Sequence, residues 1–434
     1  MSRWLHRFNT VAEYTTARND NYLEPWVSYT EENTKVNYNM TEEEKLGTPL
    51  TFEIQSNGDI RWKAINTAYT VTLEYSKNGG DWTSVTSATD TSAPSISVAS
   101  GDTVQFRAPE GVIYTSMSSG ISRYNCFSGT TCNFAVKGNI MSLLDSTNFS
   151  AMTALQSAYT FNYLFYNCTG LTDTNELLLL ATTLANNCYS NMFVNCTSLT
   201  TAPALPATTL AQACYAGMFQ GCTGLSQVPE LPATTLAQRC YQYMFQRCTS
   251  LTTAPELPAT TLVDSCYRGM FYDCLSLTTA PELPATTLAN SCYNVMFNGC
   301  SGLTTAPALL ATTLALNCYQ SMFSDCTSLT TAPELPATTL AQYCYRSMFE
   351  GCTSLTSAPE LPATTLVNSC YLGMFQRCGS LNYIKCFATD ISASNCTIDW
   401  LKNVSPTGTF VTPSTTAWST DTSGIPTGWT RVNA

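Results

Sequence analysis

The chain has 434 residues, of which only 11% are charged, and its formal net charge is −11. An acidic chain without a basic cluster argues against nucleic acid and against an anionic membrane surface as partners. The sequence also has no run of about 18 apolar residues, so no transmembrane helix is predicted.

Residues 1–46 are predicted to form a small anchoring module. The opening MSRWLHRFNTVAEYTTARND favours a short amphipathic helix, and EPWVSYTEENTKVNYN has the alternation of a hairpin with a polar turn. The opening lacks the apolar core and the cleavage site of a secretory signal. We therefore expect either an artificial start or a protein that leaves its cell without that export route.

Residues 47–112 are predicted to form a small all-β, sandwich-like domain. They contain six short alternating runs, separated by turn signals such as Asn57-Gly58 and Asn78-Gly79-Gly80. Residues 113–160 then lead into a repetitive region and are predicted to cap its amino-terminal end. Residues 383–434 lose the repeat and are predicted to form the carboxyl-terminal cap, with Trp418 and Trp429 available to cover the end.

Residues 161–382 form a repeat array. The stretch LTTAPELPATTLVDSCYRGMFYDC at 251–274 recurs with small changes, and its two cysteines keep a strict spacing. The first recurs every 26 residues from Cys188 to Cys370, and the second follows eight residues later, from Cys196 to Cys378. A fixed period of this length is the signature of a solenoid, whose units bury their apolar faces against their neighbours.

Each repeat is predicted to contain a short strand, a turn and a helix. LTTAPEL favours a brief extended piece that proline ends. At 100° per residue, the positions that stay fixed between repeats fall on one half-turn. They are Leu210, Ala211, Cys214, Tyr215, Met218, Phe219 and Cys222. The variable positions 212, 213, 216, 217 and 220 fall on the other side, and only position 221 misses. We expect the fixed side to face inward, in an α/β leucine-rich-repeat solenoid that curves because helices are wider than strands.

The 21 cysteines are interpreted as buried free thiols. Cys214 and Cys222 would lie ~12 Å apart along a helix, beyond the ~7 Å that a disulfide can bridge. Bridges between neighbouring repeats are sterically conceivable, but they would have to recur along a whole row. Metal binding is not expected, because CxxC spacings are missing and His6 is the single histidine.

No enzymatic activity and no cofactor are predicted. The sequence has no paired carboxylates, no nucleophile next to a base and no glycine-rich phosphate loop. Function is therefore expected to lie in binding.

Two surfaces are candidates for binding. On the variable side of the predicted helices stand tyrosines and arginines, the residue types favoured at interface hot spots: Arg239, Tyr243, Arg247, Arg268, Tyr272, Tyr343, Arg346 and Arg377. On the strand side stand rows of threonine and glutamate: Thr200, Thr252, Thr278, Thr304, Thr330, Thr356, Glu230, Glu256, Glu282, Glu334 and Glu360. The alternatives are drift at exposed positions and a merely solvated sheet face, and the sequence leaves the choice open.

The motif MFxxCTSLTTAPELPATTL resembles the BspA-like leucine-rich repeats of bacterial surface proteins, which are common in gut bacteria, and it covers about half of the chain. The resemblance implies attachment to host matrix, to other cells or to surface glycans, and it brings no catalytic residues. The opening FNTVAEYTTARND…EPWVSYTEENTKVNYN resembles short modules on virion proteins of tailed phages that infect such bacteria. This second resemblance implies that residues 1–46 attach to virion or fibre proteins, and a cytosolic origin would keep the thiols reduced.

These observations predict a phage fibre or decoration protein that contacts a bacterial or mucosal surface, through a surface glycan or protein. Two alternatives are a bacterial surface adhesin and a virion component that serves assembly only. A homo-oligomer stays open in each case.

Overall fold

The computed structural model describes residues 41–89 and 92–434. The helix and hairpin predicted for the amino-terminal module lie outside the described residues. The described chain begins with a short helix, α1 (Glu42–Leu46), whose start is fixed by a capping box. Thr41 Oγ1 accepts a hydrogen bond from the Glu44 N–H, and the Glu44 carboxylate accepts one from the Thr41 N–H. Residues Thr48–Ala434 form one compact unit.

Within residues 41–89 and 92–434, ten strands precede the array. They are β1 (Leu50–Ile54), β2 (Gly58–Arg61), β3 (Lys63–Ala64), β4 (Thr72–Lys77), β5 (Thr83–Thr86), β6 (Ser95–Val98), β7 (Thr103–Arg107), β8 (Ser118–Gly120), β9 (Arg123–Cys126) and β10 (Phe134–Asn139). Strands β10, β1, β7, β4 and β5 are neighbours in one antiparallel sheet, β2 pairs with β6, and β9 lies between β3 and β8. Phe52, Trp62, Phe106 and Phe127 fill the interior between these strands, with ring centroids 4.7–5.1 Å apart.

The main sheet continues into the array without a break. Strands β11 (Leu171–Asp173) and β12 (Leu177–Leu178) both pair in parallel with β10. The core is continuous as well, because Phe165 lies 6.1 Å from Phe52 and 5.3 Å from Phe193 of the next repeat. The segments on either side of the limits predicted at residues 112 and 160 share this sheet and this core. The predicted division into domains stays a prediction.

The strand side of each repeat is reduced to isolated bridges. Parallel bridges join Thr253 to Thr279, Thr279 to Thr305 and Thr305 to Thr331. Two prolines follow the bridge in most repeats, such as Pro255 and Pro258 after Thr253, and a proline has no N–H to donate to a neighbour. The predicted strands therefore shrink to single paired residues.

The helix predicted for each repeat is wrong: its place is taken by a ribbon of tight turns, the turn ribbon. In residues 239–248, alternate N–H groups donate to different partners. The Met244 N–H donates to the Tyr241 carbonyl three residues back, whereas the Tyr243 N–H donates to the Arg268 carbonyl of the next repeat. Arg239, Tyr243 and Arg247 have φ values of 58°, 55° and 60°, and an α-helix cannot contain such left-handed residues.

The turn ribbon also changes the expected shape of the stack. Curvature was predicted because helices need more room than strands. Since ribbons of neighbouring repeats are joined by hydrogen bonds, as the strands are, this reason for curvature does not hold. Most of the predicted inward positions are nevertheless buried, namely Leu210, Cys214, Tyr215, Met218, Phe219 and Cys222, while Ala211 is half-buried. The prediction that positions 213 and 217 face solvent is wrong in this repeat, because Ala213 and Gly217 are buried as well.

The interior of the array consists of columns of identical side chains. Tyrosines from Tyr189 to Tyr371 stack with ring centroids 5.8–6.1 Å apart. Trp400 continues this column at 6.1 Å from Tyr371, and Trp418 stacks on Trp400 at 5.5 Å. The end is closed by a parallel sheet of β13 (Tyr383–Lys385), β14 (Gly408–Thr412) and β15 (Trp429–Asn433).

All 21 cysteines are buried free thiols. The second cysteine of a repeat donates a hydrogen bond from Sγ to a phenylalanine carbonyl, as Cys248 does to Phe219 at 3.2 Å. Burial raises the pKa of the Cys188 and Cys318 thiols to about 12. The thiols are therefore protonated core residues, and their small size suits a column in which every repeat contributes the same group.

We predict that the array loses stability in alkali. The unfolded chain ionises its thiols near pH 8.5, whereas the folded chain keeps them protonated up to about pH 12. The free energy of unfolding should thus be constant below about pH 8. Above that it should fall by up to about 1.4 kcal/mol per pH unit for each buried thiol. Urea unfolding under reducing conditions should show a steep drop in midpoint between pH 8 and pH 10, with no change between pH 6 and pH 7 as the control. An unchanged midpoint at pH 10 would contradict the protonated core.

Candidate functional site

Five of the predicted binding residues come together on the turn ribbons of two neighbouring repeats. We call them the ribbon patch: Arg239, Tyr243, Arg247, Arg268 and Tyr272. The first three come from one repeat and occupy its three left-handed positions, whereas the other two come from the following repeat. Backbone hydrogen bonds hold the two ribbons together at this point, from the Tyr243 N–H to Arg268 and from the Arg247 N–H to Tyr272.

Tyr243 lies along the surface of the following repeat. Its ring covers Gly269, where an added Cβ atom would collide with Tyr243 Cε1. The Arg268 guanidinium carbon lies 5.8 Å from the centroid of the same ring, within cation–π distance. Arg268 Nε is buried and has no hydrogen-bond partner among the described residues. The patch therefore contains an aromatic ring, held in place by the following repeat, beside the Arg268 guanidinium.

The charges of the patch are only partly compensated. Arg247 Nε lies 3.5 Å from the Asp273 carboxylate, but the Arg247 side chain is 63% exposed, so the pair is weak. Burial, and to a lesser extent Asp273, raises the pKa of the Tyr272 hydroxyl. That hydroxyl is therefore neutral at pH 7 and can both donate and accept a hydrogen bond.

The left-handed positions of the patch carry unusual residues. Elsewhere in the array these positions are mostly glycine, asparagine, aspartate or serine, as in Asn187, Asn191 and Asn195. A bulky residue in this conformation costs about 1–2 kcal/mol. Tyr159, Tyr163, Val295, Tyr343 and Arg377 are the other bulky residues at such positions, and the repeat of residues 239–247 alone has them at all three. Because most of these positions avoid the cost, the fold does not require arginine, tyrosine and arginine at residues 239, 243 and 247. Bulky residues held in this unfavourable conformation suggest that their side chains have a function of their own.

The remaining predicted ribbon residues lie three and four repeats further along the array. Arg346 is exposed and lies 5.8 Å from the ring of Tyr343, forming a smaller group. Arg377 differs, because it forms ion pairs with Asp325 at 3.0 Å and Glu350 at 3.3 Å. Its charge is neutralised within the array.

On the strand side, the predicted residues are exposed but differ in their partners. They are Thr200, Thr252, Thr278, Thr304, Thr330, Glu256, Glu282 and Glu334. Thr200 Oγ1 donates to the Thr172 carbonyl at 3.0 Å, and Thr304 Oγ1 donates to the Thr278 carbonyl at 3.4 Å. These two hydroxyls thus support the stack, whereas the glutamates project from it.

Prolines accompany the glutamates on this side, and they were not among the predicted binding residues. Pro229, Pro232, Pro255 and Pro258 line a groove of about 460 Å³ between two repeats, together with Glu230 and Glu256 among others. The recurring APELP was interpreted only as the end of a strand. Its paired prolines were the available signal for an apolar groove.

Within the described part of the chain, no group of three or more His, Cys, Asp or Glu side chains could hold a metal ion. None of its helices is long and apolar enough to span a membrane.

A family model for the BspA type leucine rich repeat region matches residues 146–254, 215–332 and 293–397, in six copies. The matched region covers more than half of the chain, which therefore belongs to this family. Repeats of this type suggest a surface-associated recognition protein, and the family is typically non-enzymatic. No curated protein and no solved structure matches the chain.

We predict that Gly269→Ala destabilises the array and displaces the Tyr243 ring. The left-handed φ of 60° disfavours alanine by about 1 kcal/mol, and the new Cβ would collide with the ring. The free energy of unfolding should fall by roughly 1–2 kcal/mol. The double variant Tyr243→Ala/Gly269→Ala should recover the part that comes from the collision. Ser265→Ala, at a left-handed position of the same repeat, is the control and should change stability by less than about 0.5 kcal/mol. A fully stable Gly269→Ala would refute the packing described for the ring.

Proposed function

We propose that the chain is a non-enzymatic attachment protein of a phage particle, a fibre or decoration protein that contacts a bacterial or mucosal surface through its ribbon patch. One observation carries the proposal. The repeat that contains Arg239, Tyr243 and Arg247 has none of the usual small residues at its left-handed positions. A stack that can be built from glycine and asparagine has no structural need for them.

The chemistry of the patch favours a surface glycan with an acidic group. A tyrosine ring offers an apolar face on which a sugar ring can stack, and its hydroxyl can bond to sugar hydroxyls. A guanidinium binds a carboxylate or sulfate through two parallel hydrogen bonds. Arg268 places its guanidinium beside the Tyr243 ring, so one ligand can contact both groups. The five arginines of the array are its only basic residues between Lys137 and Lys385, and three of them lie in the patch.

Two features support placing the protein on a virion. The opening of the sequence resembles modules of phage virion proteins, and residues 1–46 are proposed to bind virion or fibre proteins. The chain also buries 21 free thiols, which suits assembly in a reducing cytosol better than passage through an oxidising compartment. The family match equally supports a bacterial cell-surface adhesin, which is the second candidate.

We predict that recognition is lost when the patch is removed. Tyr243→Ala/Arg268→Ala should weaken binding of the full chain to intact bacterial cells or to an acidic glycan on an array. The expected loss is about tenfold to a hundredfold, because buried tyrosine and arginine anchors dominate interfaces. Gln342→Ala, an exposed change on another turn ribbon, is the control and should bind as the wild type does. Wild-type affinity in the double variant would move recognition elsewhere, and no binding by any form would favour an assembly role.

We also predict that the chain is a component of purified phage particles. Mass spectrometry of density-purified virions should detect its peptides together with those of the other structural proteins. Detection only in the bacterial envelope fraction would replace the phage assignment with the adhesin.

A further inference from the structure

The strand side of the array carries a row of exposed glutamates that is separate from the ribbon patch. They occupy the same place in successive repeats: Glu230, Glu256, Glu282, Glu334 and Glu360. The row has one gap, since the repeat between Glu282 and Glu334 has Ala308 at this place. In that same repeat Leu310 replaces the second proline and is 50% exposed.

Apolar grooves lie beside the glutamates at both ends of the row. The groove next to Glu230 and Glu256 is lined by the prolines described above and by Val228, Leu231 and Ala254. A second groove of about 400 Å³ lies next to Glu334 and Glu360, lined by Leu335, Pro336 and Pro362. The exposed Leu310 stands in the row between them. The surface therefore alternates carboxylates with apolar contacts along the stack.

One member of the row already holds a cation of the chain itself. Lys385 Nζ lies 2.8 Å from the Glu360 carboxylate. Within the described residues, Glu230, Glu256, Glu282 and Glu334 have no such ion pair. The contact shows that an ammonium group fits beside these glutamates, and it leaves four carboxylates available to a partner.

The spacing of the row fits one kind of extended ligand. Parallel paired repeats lie ~4.8 Å apart, and bridges join Thr279 to Thr305 and Thr305 to Thr331, so Glu282 and Glu334 are ~9.6 Å apart. Glu230 precedes Glu282 by the same two repeats. The alternate set is incomplete, because Ala308 interrupts it and Lys385 neutralises Glu360. A polyproline II helix has three residues per turn and advances about 9.3 Å per turn. Every third side chain of such a segment would meet one glutamate of the complete set.

We propose that the strand side of the array binds a basic polyproline II segment of a partner protein, lying along the stack. Arginine or lysine at every third residue pairs with Glu230, Glu282 and Glu334. The intervening prolines occupy the grooves and pack on Leu310. A segment of this kind is extended before it binds, so little conformational entropy is lost, and the match of period provides the selectivity.

Isothermal titration of the full chain with synthetic peptides tests the proposal. A peptide that repeats Pro-Pro-Arg should bind at least about tenfold more tightly than a Pro-Pro-Pro-Arg peptide with the same number of arginines. The triple variant Glu230→Gln/Glu282→Gln/Glu334→Gln should weaken the first peptide about tenfold, since each exposed ion pair contributes a few-fold. Glu256→Gln is the matched control and should change the affinity less than twofold. Circular dichroism would verify that each exposed substitution leaves the fold intact.

Equal affinity for the two peptides would overturn the proposal, because binding would then depend on charge alone. Unchanged affinity in the triple variant would overturn it too. The test is independent of the proposed attachment function: Tyr243→Ala/Arg268→Ala should bind the peptide as the wild type does, whatever its effect on surface recognition.

Discussion

The array depends on hydrogen bonds that run from each repeat to the next on both of its sides. On the strand side, single threonine bridges such as Thr253 to Thr279 join the units. On the ribbon side, every second N–H group leaves its own turn and donates to the following repeat, as the Tyr241 N–H does to Cys266. A repeat by itself would leave these groups without partners, so it is stable only within the stack.

This constraint determines which residues can vary. Inward positions must stack on identical residues above and below, so tyrosine, phenylalanine and cysteine recur in unbroken columns. The left-handed positions face outward and must tolerate a positive φ. Their side chains lean over the next repeat, which explains the glycines at 269, 299 and 351 that follow Tyr243, Asp273 and Asp325 in their columns. Specific chemistry is thus confined to the outside of the ribbon and to the strand side.

The period, the buried positions and the cysteine chemistry could be predicted from the sequence, but the turn ribbon could not be told from a helix by burial alone. Turns of four residues and helical turns of 3.6 residues place almost the same positions inside over nine residues. The difference was nevertheless visible, since Cys214, Met218 and Cys222 drift by about 40° per step on a helical projection. Asparagine or glycine at 187, 191, 195, 217 and 221 was the second signal, because these residues tolerate the left-handed conformation. The contact between Tyr243 and Arg268 depends on how neighbouring turn ribbons are placed. The helix predicted in their place gave no information about that.

A stack of fixed period can present two kinds of surface, and this chain has both. The ribbon patch breaks the regularity, because one repeat carries bulky residues at all three left-handed positions, whereas the other repeats keep a small residue at one or more of them. A local irregularity of this kind suits a compact ligand such as a short glycan. The glutamate row keeps the regularity over several repeats, and a periodic surface discriminates best among ligands that are periodic themselves. The gap at Ala308 strengthens this distinction. Glu230, Glu282 and Glu334 keep their spacing of two repeats, and only the set that contains Glu256 and Glu360 is interrupted. Exposed substitutions can therefore alter either surface without changing the hydrogen bonds that build the stack.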